Sequence, residues 1–265
     1  MNRNFRTAVA AGLLSVLLLA GCSGQGAIYQ ADPFTPGLTG DTVPADTGKA
    51  RKNVKKAASA LEELGIEGAA EAGDRLLEAL DTEEDGEWMA GYLSTTADAA
   101  LWLLGDLGVG EWDADWNWTP TSHQVYWMDL EVFSLDTMYT DTLAGIQAIT
   151  AGDAAFTDIV EDTGGVDYDK DSGTQTITFL CNGEPCRYDA DFQGDWLDTG
   201  FLTYMGKVLD RLEGDRCLYL CADGGQGCIL LWQTPSWAAE LQRATGLELT
   251  PAAEGFSALS ILSML

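Results

Sequence analysis

Residues 217–232 read CLYLCADGGQGCILLW, three cysteines spaced around a glycine-rich centre and flanked by apolar runs. Four kinds of structure share this look. A phosphate-cradling loop needs a strand, the glycines and then a helix N-terminus; here the glycines lead into CILLW, a strand pattern. A thioredoxin-type site needs Cys-x-x-Cys at a helix start, and no two of these cysteines are so spaced. A zinc site built on a tight Cys-x-x-Cys knuckle fails on the same spacing. An antiparallel hairpin remains. With Asp223–Gln226 as its tip, Ala222 faces Gly227 and Cys221 faces Cys228, close enough for a disulfide. Cys217, Tyr219, Leu230 and Trp232 then share the face of that pair.

The neighbours repeat this hairpin logic. Upstream, VDYDKDSGTQTITFLCNGEPCRYDADF reads as a three-strand meander with turns at DKDSG and NGEP. A hairpin at NGEP sets Cys181 opposite Cys186, a second candidate disulfide. Between the two hairpins, DTGFLTYMGKVLDRLEGD is a helix capped by Asp198, lined by Phe201, Leu202, Met205, Val208, Leu209 and Leu212, and stopped by Gly214. Pro235 to Gly246 frames another helix. Further upstream, HQVYWMDLEVF alternates as a half-buried strand, Met138 or Tyr139, Leu143, Ile146 and Ile149 follow at helical spacing with Ser134 or Asp136 able to cap them, and a short helix is expected around Ala154–Val160. Strands that come in hairpins predict an α+β fold, with a mainly antiparallel sheet and helices packed on one face.

Residues 49–108 carry apolar stripes at helical spacing, Val54-Ala57-Leu61-Leu64, Ala69-Ala72-Leu76-Leu80 and Met89-Tyr92-Leu93-Ala97-Ala100-Leu104. They predict three short helices ahead of an α+β unit over 109–265.

The chain opens MNRNFRTAVAAGLLSVLLLAGCSG. Arg3 and Arg6 precede an apolar run, Ala8–Ala20, too short to span a membrane. Leu19-Ala20-Gly21-Cys22 resembles the lipobox of bacterial lipoproteins. The resemblance implies removal of residues 1–21 and acylation of Cys22. Several acyl chains would hold the protein stably on the extracytoplasmic side of a membrane. Residues 22–48, rich in Gly, Pro, Thr and Asp, read as a flexible tether.

Charge narrows the partners. The chain has 14 basic and 42 acidic residues, a net of −28. Loss of Arg3 and Arg6 leaves 12 against 42, or −30. Lys49, Arg51, Lys52, Lys55 and Lys56 concentrate five of those cations, a solvated helix face or a contact for anionic headgroups. The rest is acidic, which disfavours nucleic acid.

No catalytic set is assembled. His123, the single histidine, has no nucleophile motif beside it. Asp129 and Glu131, on one strand face, stand at the spacing of glycosidase carboxylates. Calcium is the one cofactor the pattern suggests: Asp113, Asp115 and Asn117, or Asp167, Asp169 and Asp171, alternate as in the start of an EF-hand loop. Neither run has the glycine or the closing glutamate in register. Trp112, Trp116 and Trp118 offer rings for a protein, peptide or glycan ligand, or plug the seam between the two halves. The reading is a membrane-anchored, non-enzymatic binding protein. The alternatives are a carboxylate-dependent cell-envelope hydrolase and a purely structural envelope component.

Overall fold

Helix α1, Thr47–Glu63, begins at Asp46, whose carboxylate accepts the Lys49 backbone N–H at 2.9 Å. The computed structural model describes residues 46–82, 86–112, 118–131, 135–223 and 225–255. Helix α2, Ala69–Ala79, packs back along α1. The two backbones approach closely at Gly73, where a Cβ would lie 2.7 Å from that of Ala58. The third expected helix is two, α3 (Gly86–Tyr92) and α4 (Thr96–Gly108). The break is a capping box. Thr95 Oγ1 accepts the Asp98 N–H at 3.1 Å, and Asp98 Oδ2 accepts that of Thr95 at 2.8 Å. The STTAD run that signals this start lies inside an unbroken apolar stripe.

The second half is built on strands. A two-stranded hairpin, β1 (Glu111–Trp112) and β2 (Trp118–Thr119), leads to β3 (Val125–Asp129). Helix α5 (Met138–Ile149) precedes the meander β4 (Phe156–Asp167), β5 (Ser172–Cys181) and β6 (Glu184–Asp191). Helix α6 (Gly200–Leu209) leads into the hairpin β7 (Cys217–Ala222) and β8 (Gly227–Gln233). Helix α7 (Pro235–Thr245), a short strand β9 (Thr250–Pro251) and a 3-10 turn (Ala252–Glu254) follow. The chain is an α+β protein. Its strands form a four-stranded antiparallel sheet ordered β3-β8-β7-β9 and a separate three-stranded sheet β4-β5-β6.

The four-stranded sheet divides the interior. Val125, Tyr219, Cys221, Ile229 and Leu231 face a cluster with α1, α2, α4 and α7. Tyr126, Met128, Leu218, Leu220, Cys228, Leu230 and Trp232 face a second cluster with α5, α6 and the meander. Strand β3 is therefore not half-buried as its alternation predicts: Val125 is 2% exposed although it points away from Tyr126 and Met128. Its partner β8 is apolar on both faces, and a sheet flanked by layers on both sides buries both.

The short helix expected at Ala154–Val160 is instead the start of β4. Residue Asp158 takes φ 52°, and the β4–β5 register shifts between Thr157 and Val160 and again between Asp162 and Gly165. Two irregularities of this kind break the period-two signal that marks a strand.

Close approach also constrains the far side. A Cβ on Gly145 of α5 would lie 2.5 Å from Tyr126 Cδ1. Gly145→Val is expected to destabilise by about 1–3 kcal/mol through overpacking, read as a lowered urea midpoint with unchanged slope.

Candidate functional site

The hairpin of residues 217–232 is present, in a different register. Five residues separate the last facing pair, Ala222 and Cys228. Asp223 makes the extra residue necessary. Its Oδ1 accepts the N–H groups of Gly225 (2.8 Å) and Gly227 (3.1 Å), and its Oδ2 accepts the Trp127 indole N–H at 2.8 Å. A Cβ on Gly227 would collide with that carboxylate and lie 2.5 Å from the indole nitrogen. The one-residue slip puts Cys221 opposite Ile229 and sends Cys221 and Cys228 to opposite faces. The disulfide between them is excluded by this register. Cys217 and Tyr219 go with Cys221; Leu230 and Trp232 go with Cys228.

The other pair also fails to face. Asn182 and Gly183, at φ 50° and 85°, form a two-residue turn. Cys181 then faces Glu184, and Cys186 faces Phe179. The two thiols share a face as diagonal neighbours in the core. All five cysteines of the described residues are free thiols. Burial raises the thiols of Cys181 and Cys228, and burial with the nearby Asp223 pushes Cys221 up to about 12. Protonated and buried, these are poor nucleophiles and poor redox centres.

The carboxylate pair loses its open geometry. Strand β3 ends at Asp129, whose Oδ1 turns back to accept the Glu131 N–H at 3.0 Å. Glu131 reaches across the hairpin to accept from the Gln226 side chain. Burial, with Glu131 and Asp223 nearby, pushes the Asp129 carboxyl up to about 6. His123 lies exposed on the bend before β3.

Asp113, Asp115, Asn117 and Trp116 lie outside the described residues, as does Cys22. Asp167, Asp169 and Asp171 sit at the β4–β5 turn. There Asp167 Oδ2 accepts from the Lys170 ammonium, a cation from within the turn itself. Among the described residues no group of three or more His, Cys, Asp or Glu side chains is arranged to hold a metal ion.

Trp112 and Trp118 are cross-strand partners in the β1–β2 hairpin. Trp118 is a packing residue. Its indole N–H donates to the Val109 carbonyl at 3.0 Å, and its ring tilts against Tyr126 at 5.1 Å. Three other tryptophans are held in the same way. Trp127 donates to Asp223, Trp232 to Asp153 at 2.8 Å, and Trp237 to the Leu64 carbonyl at 2.9 Å.

Trp88 and Trp102 differ. Neither indole N–H, nor the Tyr92 hydroxyl, has a hydrogen-bond partner among the described residues. Trp88 and Tyr92 stand four residues apart on α3, on one face, with ring centroids 4.6 Å apart; Trp102 of α4 closes the group at 6.4 Å from each. Trp88 is 45% exposed and Tyr92 38%, high for such large rings. These rings were missed in the sequence because Tyr92 fits the apolar stripe and Trp88 stands alone beside it. A shallow groove of about 200 Å³ between α1 and α2, lined in part by Ser59, Glu62, Gly73 and Leu77, is smaller than an ordinary small-molecule site.

Two outcomes follow from the buried ionisable groups. Titration of the unfolded, unreduced protein returns five free thiols besides Cys22; a count of three would require a disulfide that the register opposes. The Asp129 carboxyl is raised above its unfolded value, so it favours the fold when protonated, and this contribution is lost as pH rises through about 6. Asp129→Asn is therefore expected to gain about 1–2 kcal/mol over the native chain near pH 8 and almost nothing near pH 4, after allowance for solvent screening. Denaturant titrations at both pH values check it. No protein family, no curated protein and no solved structure matches this chain.

Proposed function

We propose that this chain is a lipid-anchored, extracytoplasmic protein that works by binding, through the face formed by Trp88, Tyr92 and Trp102. The observation that carries the reading is the contrast among the aromatic side chains. Four tryptophans spend their N–H groups on the fold. Trp88 and Trp102 leave theirs free among the described residues, beside an equally free phenol, in a three-ring group of which Trp88 and Tyr92 are exposed and Trp102 is partly buried. Amphipathic rings in this state anchor peptide side chains, stack on sugar faces or lie at the headgroup level of a bilayer. The anchor rests on the lipobox-like Leu19-Ala20-Gly21-Cys22. No helix of the described residues is long and apolar enough to cross a membrane.

A second reading, a carboxylate-dependent envelope hydrolase, draws on one observation. Asp129 is raised to about 6, beside Glu131, whose carboxylate occupies a different environment. A carboxyl raised by burial beside a second carboxylate is one ingredient of acid–base chemistry. Against it, both carboxylates are engaged by their own hairpin and strand end.

The binding reading is tested with Trp88→Ala and Trp102→Ala together. The pair is expected to leave the far-UV spectrum unchanged and to lower the thermal midpoint only modestly, because Trp88 is exposed while Trp102 is partly buried against the helical core. It is also expected to abolish capture on glycan, peptide and vesicle panels. Unfolding of the pair, or unchanged capture, overturns the reading. Hydrolysis of a glycoside or peptide panel, lost in Asp129→Asn, would favour the second.

A further inference from the structure

We infer that the partner of the aromatic face is the bilayer interface itself: Trp88, Tyr92 and Trp102 seat the tethered end of the helical half among lipid headgroups. The inference deepens the anchored reading above and rests on it.

Position is the first argument. The described chain begins at Asp46, at the start of α1. The segment that bears the rings lies against the first two turns of that helix. Arg51 pairs with Asp81 at the end of α2, and Asn53 Nδ2 donates to the Leu93 carbonyl at 2.8 Å, one residue beyond α3. Helix α3 packs directly on α1. From Cys22 to Asp46 is 24 residues (46 − 22). Whatever their shape, they can extend no farther than about 80 Å. An acyl anchor at Cys22 thus keeps this end of the body near the membrane, and tethering of that kind gives local concentrations of about millimolar. Weak affinity between three rings and the headgroup zone is then enough to populate the docked state.

Charge is the second argument. In sequence, residues 46–56 and 81–87 together carry Lys49, Arg51, Lys52, Lys55 and Lys56 against Asp46, Asp81, Glu83, Glu84, Asp85 and Glu87, a sum of 5 − 6 = −1. The whole chain sums to −28, so nearly all the repulsion from an anionic surface comes from elsewhere on the body. The end that is close to neutral is the end that carries the rings and receives the tether. Lys49, Lys52, Lys55 and Lys56 are exposed on α1 and free to meet phosphates. Ring chemistry is the third argument. Tryptophan and tyrosine with free polar tips are the side chains that settle at membrane interfaces.

The experiment uses the acylated chain from Cys22 in vesicles of phosphatidylcholine and phosphatidylglycerol, with part of the phosphatidylcholine brominated to quench nearby tryptophan fluorescence. A parallel arm carries Cys22→Ser and an N-terminal histidine tag on nickel-chelating lipid, so docking is read even if Cys22 takes no acyl chain. Mass analysis of the N-terminal peptide reads acylation separately. The expected result is quenching in both arms, lost in the Trp88→Ala, Trp102→Ala pair while its far-UV spectrum shows it still folded. Should that pair fold poorly, Trp88→Ala alone, at the most exposed ring, is expected to lose part of the quenching. Quenching in the tagged arm with an unacylated Cys22 would overturn the anchor and leave the docking face standing. Absence of quenching in both arms, or quenching unchanged in the folded variants, overturns the inference; binding of the same face to a glycan or peptide panel without quenching assigns it to a soluble ligand instead.

Discussion

The Asp223 carboxylate governs the centre of this protein. It holds two loop N–H groups and the Trp127 indole at once. The loop thereby takes five residues between Ala222 and Cys228, and the sheet register follows. Because side chains alternate in a strand, one residue more or fewer in this loop would exchange the two faces of β8. Ile229 and Leu231 would leave the helical cluster, and Cys228, Leu230 and Trp232 would leave the other. The bond to Trp127 also ties the hairpin to β3, which pairs with β8 along its whole length. Gly227 is glycine because no side chain fits beside that clamp. One short acidic side chain thus couples loop length, strand register and the assignment of residues to two cores.

Much of the fold was legible from apolar period and turn chemistry. The helices at Gly200–Leu209 and Pro235–Thr245 lie within their expected segments, the latter closed by Gly246 at φ 85°. The N-cap of the first is Thr199 and not Asp198, whose Oδ1 instead accepts the Gly200 N–H at 2.9 Å in the turn before it. What failed to show were features whose cause lies across space. A side-chain clamp on a loop has the same composition as an ordinary glycine turn, so the hairpin was read one residue short. The same is true of Asn182-Gly183, where a turn of two residues, not four, moves Cys181 away from Cys186. Strand β4 was hidden by its own bulges, and the α3–α4 break by an apolar stripe that runs through it.

The site was less legible than the fold for a related reason. Tryptophan is equally common in cores and at contact surfaces, and its sequence position does not say which. The indole N–H bond and the exposure of the ring together do, since Trp196 packs against the core without such a bond among the described residues while Trp88 is exposed. Trp118 looked like a contact residue because it closes a run of tryptophans, yet it spends its N–H on Val109 and its ring on Tyr126. Trp88 stood alone in the sequence, yet α3 and α4 bring Tyr92 and Trp102 to it. The Thr95 capping box makes that meeting occur, since it ends one helix and re-aims the next.

The aromatic face and the charge asymmetry have one physical consequence. A body with a net of −28 would be turned by an anionic surface so that its least negative part faces it. The most basic run of the sequence is where α1 begins, residues 46–56 at 5 − 1 = +4, and the helix that packs on it offers free indole and phenol groups. On the docked reading orientation needs no rigid connection to an anchor, because screened repulsion near the surface disfavours other poses and short-range ring contact selects this one. Electrostatics acts here over about 8–10 Å at ordinary salt, so it can orient a tethered body but cannot by itself hold it. On the docked reading holding falls to the rings, and the four-stranded sheet lies behind the helices that pack on its first face, with Asp129, Glu131 and Asp223 near its hairpin end.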